Sequence, residues 1–307
     1  MRDYHVPVLV DEVVRLLDPK RGGVYLDGTL GGGGHSEALL RAGAESGARV
    51  VGVDRDAEAL AEACARLSAY GERFEARQGD FADAVEALET ELAGALLDLG
   101  VSSHQIDEAA RGFSFRPGSP LDMRMSPDEK GPTAAAVLNE YSEEGLVRVL
   151  REYGEEPRAR PIARRVVGRR VEHPFRTSDD LNAVLEEVYG RGLTAQDQAR
   201  IYQALRIEVN GELASLDRAL EAVRERLGVG GVVAVIAYHS LEDRRVKNAF
   251  REWSRSCVCP EELPVCVCRG APLGELLTRK PIRPSEREVA ENPRSRSARL
   301  RAWRKAA

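Results

Sequence analysis

Short apolar runs alternate with amphipathic stretches through the first third of the chain. Gly23-Val-Tyr-Leu-Asp27 and Arg49-Val-Val-Gly-Val-Asp54 have the length and β-branched content of strands. Arg73-Phe-Glu-Ala-Arg-Gln78 reads as a third and Gly94-Ala-Leu-Leu-Asp98 as a fourth. A helix over about 36 to 43 and an alanine-rich one from Ala57 to Tyr70 fall between them. Strands separated by helices imply right-handed crossovers and a parallel sheet.

The rhythm breaks after Val101. From there to about Pro132 no periodicity survives, and Gly, Pro and Ser recur. Loops longer than ~15 residues are uncommon and usually functional or disordered. A run of helices follows, with readable ends. Ser142 can cap one stopped by Gly154, while Thr177-Ser-Asp-Asp180 and Thr194-Ala-Gln-Asp197 have the form of capping boxes. A helix of one or two pieces (about 196 to 227) ends at Gly228, and Val232 to Tyr238 is a buried-strand run. Ser240 to Trp253 predicts a helix opened by a capping box, Ser240-Leu-Glu-Asp243. The tail from Leu276 through Lys305 predicts two antiparallel edge strands. The expected fold is therefore α/β, a doubly wound sheet formed by 1–106 and 206–307 and interrupted by an all-helical insertion, 107–205.

Composition adds limits. A length of 307 residues suits about two domains, and 43% hydrophobic with 31% charged residues excludes a disordered chain. The longest apolar stretch, Val232 to Ala237, falls far short of the ~20 residues that cross a bilayer. Asp11 and Glu12 interrupt the N-terminal region before a signal-like segment develops. These features predict a soluble, cytoplasmic protein with no membrane partner and no obligate protein partner. The net charge of -5 excludes a uniformly basic coat, but not a local basic surface. Forty of the 45 cationic residues are arginines, which grip phosphate oxygens bidentately.

The candidate chemistry begins at Asp27-Gly-Thr-Leu-Gly-Gly-Gly-Gly-His-Ser36, between the first strand and its helix. Glycines there let the backbone approach a ligand, and a helix N-terminus offers free N–H groups. His35-Ser36 stands where a P-loop requires Gly-Lys-Ser/Thr, so that motif is excluded. Asp54 ends the second strand, where an acid hydrogen-bonds the hydroxyls of an adenosine ribose. Asp27 suits a ligand carrying an ammonium, and Phe81 after Gly79-Asp80 could lie on an adenine face. Together these residues describe a site for S-adenosylmethionine (SAM).

Seven motifs run in order along the chain. They are Tyr4-His-Val-Pro-Val8, the glycine loop, Asp98-Leu-Gly-Val-Ser-Ser103, Arg111-Gly-Phe-Ser-Phe115, Pro120-Leu-Asp-Met-Arg-Met125, His239-Ser-Leu-Glu-Asp-Arg244 and Glu291-Asn-Pro-Arg-x-Arg-Ser297. In these the chain resembles the MraW family of bacterial 16S ribosomal RNA cytosine-N4 methyltransferases. The resemblance implies that Gly33, Gly34 and His35 hold the cofactor, that Asp54 meets its ribose and Phe81 its adenine, and that Asp98 and Gln105 border its methionine end. It also implies a substrate cytidine in the decoding centre of the small ribosomal subunit. Leu30-Gly31-Gly32 departs from the family pattern between the glycines.

Methyl transfer to an amino group calls for alignment and for an oxygen that accepts the N–H. Asp98 is the candidate for that role, and His239 the candidate proton acceptor. Phe113 and Phe115 are candidates for stacking on a flipped base, with loop anchoring as the equal alternative. Arg116 beside them, Arg164 and Arg165 in a cluster running from Arg158 to Arg170, and Arg294 and Arg296 in the tail are candidate RNA contacts. In the tail, Arg299, Arg301, Arg304 and Lys305 continue the run of cations. Cys257-Val-Cys259 and Cys266-Val-Cys268 suggest zinc more than disulfides, but C-x-C is tighter than usual zinc pairs. The sequence reading is a free-thiol loop with no resident metal. Rival readings are a DNA cytosine-N4 or adenine-N6 methyltransferase, disfavoured by Asp98-Leu-Gly-Val, a nicotinamide-dependent oxidoreductase, and a non-catalytic RNA-binding assembly factor.

Overall fold

The computed structural model describes residues 7–101, 105–106, 108–126, 131–259, 267–268 and 270–307. The chain divides into two compact units, Met1–Gly100 with Ala214–Ala307, and Val101–Leu213. The sequence boundaries near 107 and 205 both fall inside the second unit.

The first unit is built on seven strands: β1 (Val24–Asp27), β2 (Arg49–Asp54), β3 (Phe74–Gln78), β4 (Leu92–Asp98), β5 (Leu227–Ala237), β6 (Gly274–Leu276) and β7 (Arg299–Lys305). Their order across the sheet is β3-β2-β1-β4-β5-β7-β6. The first five run parallel, and β7 is antiparallel to both of its neighbours. This is the doubly wound α/β sheet that the strand–helix alternation predicts. One expectation is corrected: β7 is no edge strand. Leu300, Ala302 and Trp303 are wholly buried, and such a strand must be covered on both sides. The three-residue β6 takes the edge instead.

Helices α1 (Val10–Leu17), α2 (Gly34–Ala42) and α3 (Ala57–Leu67) cover one face. Their residues Val13, Leu17, Leu39, Leu40, Ala63 and Leu67 pack with Val232, Ala234 and Ile236 of β5. The opposite face takes α4 (Phe81–Glu86), the C-terminal part of α10 (Glu212–Arg226) and α11 (Ser240–Trp253). Val85, Leu216, Val223, Val246 and Phe250 there meet Val233 and Val235. Alternate residues of β5 thus enter two different cores, which is why its sequence is a continuous apolar run. Trp253 and Trp303 close the second core edge-to-face, 5.0 Å apart at 71°.

The second unit contains α5 (Ala134–Glu140), α6 (Glu143–Glu152), α7 (Ala159–Arg170), α8 (Ser178–Tyr189) and α9 (Ala195–Asn210), and no strand is assigned among its described residues. The sequence caps appear where expected. Ser142 Oγ accepts from Gly145 N, and Thr177 and Thr194 open capping boxes closed by Asp180 and Asp197. The aperiodic segment is ordered by polar clamps. Arg111, 8% exposed, donates to the Met125 carbonyl. Asn210 joins in, accepting from Met125 N and donating to the Met123 carbonyl at 2.8 Å each. Gly112 adopts φ +77°, and a Cβ there would stand 2.4 Å from the Pro120 carbonyl oxygen, so glycine is obligatory. Among the described residues no helix is long and apolar enough to cross a membrane.

Candidate active site

The sheet reverses direction of winding between β1 and β4, which lie side by side with β2 and β5 outside them. Ligands of such sheets bind beyond the carboxyl ends of the strands at that switch point. Asp27, Asp54 and Asp98 each end a strand there, on β1, β2 and β4. The three acids have different surroundings and therefore different uses.

Asp27 is fully buried, accepting from Ser36 Oγ at 2.7 Å and from Thr29 N at 3.3 Å. Burial raises its pKa against the opposing pull of His35 and these bonds. Its carboxylate holds the glycine loop to the head of α2. Asp54 is less enclosed. Its Oδ2 accepts from Gly31 N at 2.8 Å and its Oδ1 from Asp56 N at 2.9 Å, so each oxygen keeps a lone pair for a further donor. Burial nonetheless pushes its carboxyl up to about 6.

The glycine loop follows from local needs. Gly31 and Gly33 sit at φ +50° and +79°, where a side chain would be strained. A Cβ on Gly28 would stand 2.5 Å from Leu97 Cδ2 and 3.2 Å from Phe81 Cβ, so loop, β4 and the start of α4 meet at that glycine. Gly34 opens α2 beneath Pro7. Phe81 starts α4, whose N-cap Asp80 also takes Arg55 and Ser215. Burial would raise the Asp80 pKa, but those partners outweigh it and hold it low.

Asp98 carries the densest set of contacts. Its backbone N–H donates to Thr29 Oγ1 at 2.6 Å, tying β4 to the loop. Its Oδ1 accepts from the Tyr238 hydroxyl at 3.0 Å, and its Oδ2 lies 3.8 Å from His35 Nδ1. The other His35 nitrogen, Nε2, is 2.9 Å from the Val8 carbonyl, so Nε2 carries a proton and Nδ1 faces the carboxylate. Burial, then Asp98 itself, raises the Tyr238 pKa well above its ordinary value, so this hydroxyl stays a donor.

Tyr238 is the residue that sequence reasoning missed. It sits one position before His239, at the end of β5, and its place in that apolar run was the available signal. His239 instead caps α11. The capping box is shifted by one residue from the expected Ser240-Leu-Glu-Asp243: Glu242 accepts from Tyr238 N at 2.9 Å and His239 N at 3.2 Å. Ser240 is the first residue inside the helix, so the N-cap falls on His239. Its Nε2 lies 2.9 Å from Glu242 Oε1, close enough for an ion pair but poorly aligned for a hydrogen bond.

The cofactor candidate Gln105, 7% exposed, belongs to the second unit, as do the RNA candidates except the tail arginines. Phe113 and Phe115 are half-buried against the helical core. Phe115 meets Tyr202 edge-on at 5.8 Å, and Asn182 holds its carbonyl. Both rings pack against that core. Arg116 is exposed. Arg164 and Arg165 project from α7 with side chains 76% and 59% exposed, beside a surface depression of about 400 Å³ shared with Arg169, His173 and Glu187. Arg170, by contrast, is spent on the Leu138 and Tyr141 carbonyls. In the tail, Arg294 and Arg296 are exposed, whereas Arg301 is buried against Asp243 and Lys305 binds backbone carbonyls. The cationic tail is thus mostly structural.

The profile of the MraW methylase family matches residues 2–306. The chain belongs to the MraW methylase family. Among curated relatives, "Ribosomal RNA small subunit methyltransferase H" of Gemmatimonas aurantiaca is 53% identical over 308 residues, spanning 99% of this chain and 96% of that protein. Its namesake from Myxococcus xanthus is 52% identical, spanning 98% and 97%. Among solved structures, an rRNA methylase from Streptococcus thermophilus superposes at a TM-score of 0.42 with 12% identity, covering 97% of this chain and 94% of that one. This MraW methylase uses SAM as methyl donor. Its own residues fit that cofactor: Asp54 offers two spare acceptor lone pairs to hydroxyls, and three acids ending neighbouring strands favour a cation.

Proposed function

We propose that this methylase transfers a methyl group to N4 of a cytidine in the decoding centre of 16S ribosomal RNA, in the small ribosomal subunit. The names of its relatives support the RNA, and the motif resemblance supports the base and atom. The observation that carries the chemistry is the Asp98 carboxylate at the switch point, gripped by the Tyr238 hydroxyl and faced by His35.

Bound SAM supplies an electrophilic methyl on a sulfonium. The protein's part is to hold the acceptor and manage charge. A cytosine amine is a weak nucleophile because its lone pair is delocalised. Asp98, accepting an N–H of that amine, helps the nitrogen rehybridise and disperses the charge that grows on it. Tyr238 fixes one carboxylate oxygen and leaves the other beside the His35 ring. Asp54 takes the ribose hydroxyls, with Gly33, Gly34 and Phe81 shaping the cavity around the cofactor. His239 receives the released proton, and Glu242 at 2.9 Å would stabilise the imidazolium. The exposed Arg116, Arg164, Arg165, Arg294 and Arg296 grip the RNA backbone.

The test is isotope-labelled SAM incubated with undermethylated small subunits, followed by nucleoside mass spectrometry. Label in N4-methylcytidine is expected. Label confined to any other nucleoside overturns the assignment.

A further inference from the structure

The cysteine segment between α11 and β6 takes no part in the site above. Its two ends are pinned to the sheet: Leu273 N donates to the Trp253 carbonyl at 2.8 Å, and Trp253 packs edge-to-face against Trp303 of β7. Between those ends, the Sγ atoms of Cys257, Cys259 and Cys268 lie within 4.8 Å of one another. Cys257 Sγ and Cys268 Sγ are 3.8 Å apart. In a tetrahedral zinc–thiolate centre with Zn–S near 2.3 Å, the sulfur–sulfur edge is about 3.8 Å.

The backbone also turns toward these sulfurs. Val258 N, inside one C-x-C arm, donates to Cys268 Sγ at 3.3 Å. Val267 N, on the other arm, donates to Cys259 Sγ at 3.4 Å. These two bonds tie each arm to a sulfur of the other and hold the three sulfurs together. A metal employs all three sulfurs at once. The tight C-x-C spacing, which argued against zinc in the sequence, loses its force because the 3.8 Å approach is between sulfurs of opposite arms.

We propose that Cys257, Cys259 and Cys268 form a structural zinc site. Soft thiolates select zinc over magnesium or calcium, and binding releases the thiol protons. Three protein sulfurs leave one tetrahedral position for a fourth donor. Cys266 lies outside the described residues.

The experiment is elemental analysis of the full chain purified without chelators. About one zinc per chain is expected in the wild type and in Cys64→Ser, which alters an exposed thiol on α3, and under a tenth of that in Cys257→Ser/Cys268→Ser. Cobalt(II) exchange of the wild type should give the intense visible bands of a tetrahedral thiolate centre, a readout independent of activity and of whether the variant folds. Failure of the folded wild type to take up either metal from a stoichiometric supply overturns the proposal. So does mass spectrometry that finds two of these cysteines joined as a disulfide in the protein as purified.

Discussion

Replacing Asp54 with asparagine while titrating pH isolates the group on which cofactor affinity should turn. Burial carries its carboxyl from an ordinary 3.8 up to about 6. At 1.36 kcal/mol per unit, and allowing for its partial exposure, this is about 2–3 kcal/mol of differential stability. The sign follows from the direction of the shift. The folded state binds the proton more tightly than the unfolded one, so the stabilisation is fully present below 3.8 and lost as pH rises through about 6. Asp54→Asn does not titrate. Wild-type stability measured relative to this variant should therefore fall by about 2–3 kcal/mol between about pH 4 and about pH 7, or roughly 5–10 °C in melting temperature.

Cofactor binding runs the opposite way. Hydroxyl donors need the ionised carboxylate, so the SAM dissociation constant from calorimetry should rise about tenfold per pH unit below about 6. At about pH 8 Asp54→Asn should bind SAM at least ~100-fold more weakly, since two charge-assisted hydrogen bonds are weakened. A stability difference that stays constant across the window, together with a SAM affinity that is flat from about pH 7 to about pH 5, would refute the reasoning.

Tyr238→Phe removes the hydroxyl that fixes Asp98, and turnover should drop about tenfold while the KM for SAM changes little; unchanged turnover would remove Tyr238 from the site. Arg301→Ala breaks a pair whose side chains are only 9% and 13% exposed and leaves Asp243 with the longer Arg299 contact at 3.5 Å, so it should cost about 3 kcal/mol by denaturant unfolding, the low end for a buried pair. Arg301→Met/Asp243→Leu should recover most of that loss, because the desolvated charge goes too. Binding to small subunits should weaken steeply with salt, and Arg164→Glu/Arg165→Glu should flatten the log–log slope by about two; an unchanged slope would detach α7 from the RNA.

Period and punctuation determined much of this protein from sequence alone. Strand–helix alternation gave β1 to β5: β1, β2, β4 and β5 are buried and read as apolar runs, while the half-exposed edge strand β3 was the weaker signal, and Thr177, Thr194 and Ser142 marked helix starts that depend on one side chain and one turn of backbone. The acids at the strand ends were legible too, since a carboxylate following an apolar run declares a sheet edge. What the sequence could not hold was pairing between distant segments. It placed the C-terminal strand at the edge as one of two antiparallel strands, whereas β7 inserts beside β5. It could not separate Tyr238 from His239, because which of two adjacent residues reaches Asp98 depends on where α11 starts. Nor could it tell surface arginines from Arg301, or count converging sulfurs across the cysteine segment. Local rules act over a few residues and are written in the chain; partners 140 residues apart, like Asp98 and Tyr238, meet only when the sheet closes.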